Sequence, residues 1–243
     1  MSVEFANRGI VRDGLIFGID AFNNKSYISG STEVYDLNKN GDTGTLINGV
    51  TSDGFSLGFN GTNQWVDFLD ENIASFDYGD PFSVEFWVKK QTGSVFDWVV
   101  GRQDWTGTKK GWGVIYRNSP LGSLNMSLTE VPGTGFSVRT TNQYNDNTWN
   151  HHVCVYDGGT TLDSIKIYSN TIQDELVTLT DNYVGGSIVS VGVSARMVIG
   201  RRFDESANYP EMDLRTLNIY NIALTQTQVK QNYLALKEKV YGS

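Results

Sequence analysis

The stretch Asp213-Leu214-Arg215-Thr216-Leu217-Asn218-Ile219-Tyr220-Asn221-Ile222-Ala223-Leu224-Thr225-Gln226-Thr227-Gln228-Val229, which runs on to Lys239, contains a change of period. Leu217 and Ile219 alternate with Thr216, Asn218 and Tyr220, the pattern of a half-buried strand. Beyond Leu224 the spacing lengthens. Thr225 and Gln228 form a Thr-x-x-Gln capping box, in which the hydroxyl bonds forward and the amide reaches back. Val229, Tyr233, Leu236 and Val240 then follow at the spacing of an amphipathic helix. The stretch predicts a strand, a turn and one short closing helix.

Working outward, short apolar runs bounded by turn residues fill most of the chain. They are expected at Leu15–Ile19, Glu33–Leu37, Gly44–Ile47, Phe55–Phe59, Trp65–Leu69, Phe82–Lys89, Val95–Gly101 and Gly111–Arg117. The series continues with Ser123–Leu128, Phe136–Thr140, His151–Tyr156, Ser164–Ser169, Leu176–Leu179, Met197–Ile199 and Asp213–Tyr220. Phe82, Val84, Phe86 and Val88 share one strand face. So many short strands read as a β-sandwich. The 26 Gly against 4 Pro fit many tight turns, and 243 residues fit one such domain with a substantial core. Neither a repeat nor a linker divides the chain.

Four motifs in order carry a family resemblance. Ile219-Tyr220-Asn221, Ala223-Leu224-Thr225, Val229 and Asn232-Tyr233 resemble the closing signature of concanavalin A-like, laminin-G-like jelly rolls. Gly14-Leu15-Ile16-Phe17-Gly18-Ile19-Asp20-Ala21, with Ser26-Tyr27 and Tyr35-Asp36-Leu37, resembles their first strand region. Leu57-Gly58-Phe59-Asn60-Gly61-Thr62-Asn63 resembles their Phe-Asp-Gly-Thr-Asn turn. Trp149-Asn150-His151-His152-Val153 with Tyr156-Asp157-Gly158 resembles their Trp-x-x-His-Val strand. The resemblance implies an all-β, two-sheet antiparallel jelly-roll sandwich with a short C-terminal helix. Residues 14–243 are expected to form this single domain, preceded by an N-terminal arm at 1–13.

Composition narrows the function. A net charge of −8 is the wrong sign for a nucleic-acid footprint. No apolar run approaches the ~20 residues of a membrane helix, and the first residues lack the basic and apolar regions of a signal peptide. The one cysteine, Cys154, lies in an apolar strand and reads as a small buried hydrophobe.

Catalytic candidates are thin. The jelly-roll glucanases that the chain resembles use Glu-x-Asp-x-x-Glu, and their chemistry needs paired carboxylates about 5–5.5 Å apart for retention. Here Glu211 and Asp213 are followed by Thr216, so the third acid is missing and no catalytic residue is assigned. His151 and His152 are adjacent on a strand and point to opposite faces, so they cannot share a metal; His152 reads as structural. The resemblance implies an edge Ca²⁺ site in many relatives, but Asn60 and Gln64 stand where carboxylates are expected. A hard cation needs 6–8 oxygen ligands, so calcium is disfavoured in this turn and no cofactor or metal ligand is assigned; Asp20 and Asp36 are left as acids able to contribute elsewhere.

Glycan recognition needs aromatic platforms beside polar groups, and loops of such folds carry function. Asp104, Trp105, Tyr144, Asp204 and Tyr209 are the candidates. In the arm, Val3, Phe5, Ile10 and Val11 are candidate anchors for attachment to another protein, or for packing on the domain itself. Chains with this ending resemble domains of bacteriophage structural proteins. That implies a non-enzymatic virion surface component, made in the bacterial cytoplasm. It would be a capsid decoration, a fibre protein or a tail adhesin, with capsid or fibre subunits as partners, cell-surface glycans as a further ligand class and homo-oligomers allowed. A glycan-active hydrolase of this fold and a free lectin-like module are the alternatives.

Overall fold

The computed structural model describes residues 9–38, 40–91, 96–103, 110–130, 134–181, 196–202 and 208–242. Among the described residues, two antiparallel sheets, of eight and nine strands, lie face to face. The first has eight strands, and its central pair is Phe82–Lys90 beside Glu211–Tyr220. Trp149–Tyr156, Ile165–Ser169 and Ile172–Gln173 extend it on one side. On the other side Leu15–Asp20 pairs with the C-terminal part of Glu211–Tyr220, while Leu57–Asn60 pairs with its N-terminal part and then with Thr51–Ser52. The second sheet has nine strands in the order Leu176–Asp181, Gly135–Thr140, Leu121–Thr129, Gly111–Asn118, Phe96–Gln103, Val198–Ile199, Trp65–Phe68, Thr43–Ile47 and Glu33–Tyr35.

Alternation explains which residues fill the space between the sheets. Phe82, Val84, Phe86 and Val88 point inward, as their spacing predicts, and meet Trp112, Val114, Tyr116, Leu124 and Met126 from the facing sheet. Phe82 is stacked on Phe76 at 4.4 Å. Each such side chain contributes about 1.5–3 kcal/mol through burial. One ion pair spans the layers: Lys90 Nζ lies 2.8 Å from Asp97 Oδ2, both side chains almost fully buried.

The outer face of the eight-stranded sheet is also apolar, and the helix Gln226–Tyr241 covers it. The capping box forms as expected, with Thr225 N–H donating to Gln228 Oε1 and Gln228 N–H to Thr225 Oγ1. Val229 joins Val153, Val155, Tyr168 and Tyr220, whereas Leu236 and Val240 lie on Trp87. Tyr233 stacks on Trp87 at 5.3 Å. The buried stripe differs from the expected one by a polar residue, Asn232.

Asn232 belongs to a network around Glu85, a fully buried carboxylate. Its Oε2 accepts from Asn232 Nδ2 (2.8 Å), Tyr220 Oη (3.0 Å) and Asn218 Nδ2 (3.3 Å), and its Oε1 lies 2.7 Å from His151 Nε2. Asn232 Oδ1 also accepts from Val11 N–H at 2.7 Å. The network therefore joins the sheet, the helix and the end of the arm. Val11 is buried within its own chain, Ile10 packs beside Trp87 and Leu236, and Gly9 C=O accepts from Gln231 Nε2. Val11 is thus buried and Ile10 half-buried against their own domain, the packing alternative expected for them; Val3 and Phe5 lie outside the described residues.

Several expected strand limits move for local reasons. Asp53 Oδ1 accepts from the N–H groups of Phe55 and Ser56, so a turn holds these two residues out of the ladder and the strand starts at Leu57. Phe55 instead packs outward on Trp149. Leu162–Ser164 forms a 3-10 turn, which delays the next strand to Ile165. The final strand begins at Glu211, two residues before the expected Asp213. No helix among the described residues is long and apolar enough to cross a membrane.

Candidate ligand-binding groove

A groove lies on the outer side of the nine-stranded sheet. Cross-strand register arranges its outward residues in rows. Phe96 stands opposite Arg117, and Arg117 opposite Ser123. The next row is Trp98, Ile115, Asn125 and Arg139. A third is Gly101, Gly113, Ser127, Ser137 and Thr180. The third row is made of small residues, so the surface sinks there into a groove of about 350 Å³.

The glycines are needed because Trp98 leans over them. A Cβ at Gly113 would lie 2.3 Å from Trp98 Cζ3, and one at Gly101 would lie 2.9 Å from it. A register shift between Trp98 and Val100 assists. It lets Val99 and Val100 both enter the core while Trp98 stays on the outer face, the usual effect of a bulge that re-aims a side chain. Trp98 and Ile115 form an apolar floor, Trp98 being 4% exposed. Asn125 and the hydroxyls of Ser127, Ser137 and Thr180 supply polar contacts along the wall. Asn125 is itself positioned by bonds from its Nδ2 to Ser137 Oγ (3.0 Å) and Val138 C=O. An apolar floor with a few placed polar groups is the usual make-up of a small-ligand site.

The charge in the groove is one-signed. Among the described residues that line it, Arg117 and Arg202 are charged and no carboxylate is present. The Arg117 guanidinium lies 4.9 Å from the Phe96 ring, and burial, followed by the nearby charge of Arg139, lowers its pKa.

Of the glycan-binding residues singled out in the sequence, the two described ones, Tyr144 and Tyr209, stand at different places. Asp104, Trp105 and Asp204 lie outside the described residues; in sequence they directly or nearly follow Gln103 and Arg202, which line the groove. Tyr209 is buried and follows the groove-lining Asn208. Tyr144 is elsewhere, in a separate pocket with Asn142, Asn170 and Ile172. Its hydroxyl donates to Asp174 Oδ1 at 2.5 Å, and burial pushes its pKa well up, so the phenol is fixed by the fold. Sequence reasoning missed Trp98, Ile115, Asn125 and Ser127. The signal was there in the alternation of polar and apolar residues against Val114, Leu124 and Met126.

Other candidate chemistry resolves into structural roles. His152 Nδ1 is 2.8 Å from Ser169 Oγ, and that hydroxyl donates to Asp174 Oδ2 at 2.6 Å. A nucleophilic triad places the imidazole between hydroxyl and carboxylate; here the hydroxyl is in the middle and its proton is given to the acid. Burial, then the neighbouring His151, lowers the His152 pKa to about 3, so the ring is neutral. His151 faces the other way, toward Glu85 and Trp87. Cys154 is buried and its thiol pKa is raised by that burial. Glu211 starts its strand, Asp213 pairs with Lys89 at 2.7 Å, and Thr216 is buried.

In the turn at Asn60 the side-chain amides are engaged in hydrogen bonds. Asn60 Oδ1 accepts from the N–H groups of Thr62 and Asn63, and Gln64 Nε2 donates to the carbonyls of Asn48 and Gly49. Asp20 Oδ1 faces Phe22 N–H and Arg215, and Asp36 Oδ1 accepts from Gly18 and Asn38 N–H. No group of three or more His, Cys, Asp or Glu placed to hold a metal occurs among the described residues.

Two packed antiparallel sheets, a closing helix and a grooved outer face define a lectin-like jelly roll. The chain belongs to the concanavalin A-like lectin/glucanases superfamily, whose Laminin_G_3 profile matches residues 59–230. No curated protein matches it. Among solved structures it is similar to the binding domain of botulinum neurotoxin serotype G, with a TM-score of 0.66 and 15% identity over 90% of this chain and 50% of that one. The binding domain of Paraclostridial Mosquitocidal Protein 1 gives 0.61 and 16%, over 89% and 51%. A Trypanosoma rangeli sialidase, solved with 2,3-difluorosialic acid, gives 0.65 and 11%, over 93% and 33%. The chain therefore spans about half the length of these toxin domains and a third of the sialidase, and the likeness is one of fold.

Proposed function

We propose that this chain is a non-enzymatic, glycan-binding component of a bacteriophage virion surface, either a capsid decoration or fibre protein or a tail adhesin. The groove floored by Trp98 and Ile115 carries the binding part of this reading, because it sets apolar surface beside Asn125 and several hydroxyls. Sugars present that same mixture, apolar C–H faces edged by hydroxyls. The similarity in fold to toxin binding domains supports a binding role. The virion assignment rests on the resemblance of the Tyr220-Asn221-x-Ala223-Leu224 ending to domains of phage structural proteins. On this reading the protein is made in the host cytoplasm and mounted on capsid or fibre subunits.

Electron microscopy of purified particles tests the assignment: the protein is expected at a fixed position in constant copy number, and its absence from particles refutes it. The sialidase among proteins of similar fold supports a second reading, glycan hydrolysis. With Thr216 in place of a third acid, incubation with laminarin, agarose or carrageenan is expected to release no reducing sugar. Turnover that Glu211→Gln abolishes would establish the second reading instead.

A further inference from the structure

In a chain of net charge −8, the groove is lined, among the described residues, by arginines and no acid. Arg117 makes no ion pair with any described carboxylate; its recorded partner is the Phe96 ring. Arg139 does not line the groove but stands on the same sheet face beside it, opposite the lining residue Asn125, and donates to its neighbour's carbonyl, Thr140 C=O. The two arginines bracket Asn125: Arg117 pairs with Ser123, two positions along the same strand, and Arg139 is directly opposite Asn125. Two cations held on one sheet face repel, and placing like charges close together without a counter-charge is unfavourable. An acidic side chain would relieve that cost, and none of the described residues lining the groove is acidic. The cost is removed equally well by an anion brought in from outside, and a guanidinium binds carboxylate or sulfate through paired N–H donors.

We infer that the groove selects an acidic saccharide, with Trp98 and Ile115 beneath the sugar ring and Arg117 and Arg139 taking its carboxylate or sulfate. This rests on the glycan-binding reading above and adds the charge of the ligand. Hydroxyls and the Asn125 amide recognise the neutral part, and the two half-buried arginines favour saccharides that carry the anion.

The test is calorimetric titration of the full chain with three probes: an oligogalacturonate for the carboxylate, a heparin-derived oligosaccharide for the sulfate, and a maltooligosaccharide as the neutral control. At least one acidic probe is expected to bind about tenfold or more tighter than the neutral one, the loss expected for one charge-assisted hydrogen bond. That binding is expected to weaken as salt rises from ~50 to ~500 mM. Arg117→Gln and Arg139→Gln are expected to remove the preference with an unchanged melting temperature. Ser137→Tyr, which fills the groove from its half-exposed wall, is expected to abolish binding of all probes. Equal binding of the neutral probe, lost only in Ser137→Tyr, overturns the anionic selection and leaves the groove as a glycan site. Acidic binding that neither arginine variant alters also overturns the inference. Failure of all three probes to bind overturns both the inference and the groove reading.

Discussion

Glu85 receives hydrogen bonds or ionic contacts from His151, Asn218, Tyr220 and Asn232, which lie on three different segments. Removing one partner of a buried charged set leaves the others unpaired at a cost of about 3–5 kcal/mol. Glu85→Leu is therefore expected to lower stability by that order or prevent folding, as read by urea denaturation. His152 makes a second prediction. Its folded pKa of about 3 lies below its ordinary value of 6.5. The unfolded chain takes up a proton near pH 6.5 while the folded chain refuses it, so this contribution to stability is intact above that pH and is lost as pH falls toward 3. The slope is about 1.4 kcal/mol per pH unit. His152→Gln is expected to flatten the decline over this window by roughly one proton; an unchanged slope counts against a neutral buried imidazole.

At the scale of elements, the helix Gln226–Tyr241 is expected to be indispensable, because it covers Trp87, Val153 and Tyr220 and completes the Glu85 network. Truncation after Leu224 should give protein that lacks a cooperative melt; a sharp transition at the full-length temperature would contradict this. The helix, its capping box and most of its apolar stripe were legible in the sequence, because Thr225, Gln228, Val229, Leu236 and Val240 interact over one or a few turns. Asn232 was not, since its partner Glu85 is 147 positions away and no local pattern links them. Strand existence was legible from alternation, whereas the ends depended on side-chain turns such as that of Asp53 on Phe55 and Ser56. The groove escaped notice because aromatic platforms were sought in loops, at Trp105 and Tyr144, while Trp98 sits in a strand whose bulge alone places it outside the core.

For the whole molecule, the proposed mounting on a virion concerns the arm. Gly9, Ile10 and Val11 are bound to the helix and its surroundings, so any attachment by this segment falls to the residues before them. Deleting residues 2–8 is expected to leave the melting temperature unchanged while abolishing incorporation into particles. Full incorporation of the shortened chain would place the attachment elsewhere on the domain.

The helix laid across one sheet leaves the groove, among the described residues, on the outer side of the other sheet. Each copy then offers one grip, and a sugar held by one shallow groove leaves quickly. On the proposed glycan-binding, virion-mounted reading, retention comes from many copies held at fixed spacing, where release of one grip leaves its neighbours engaged at high effective concentration. Gain in avidity on going from free subunit to array thus becomes a quantity set by the spacing of the support, with the affinity of the individual groove unchanged.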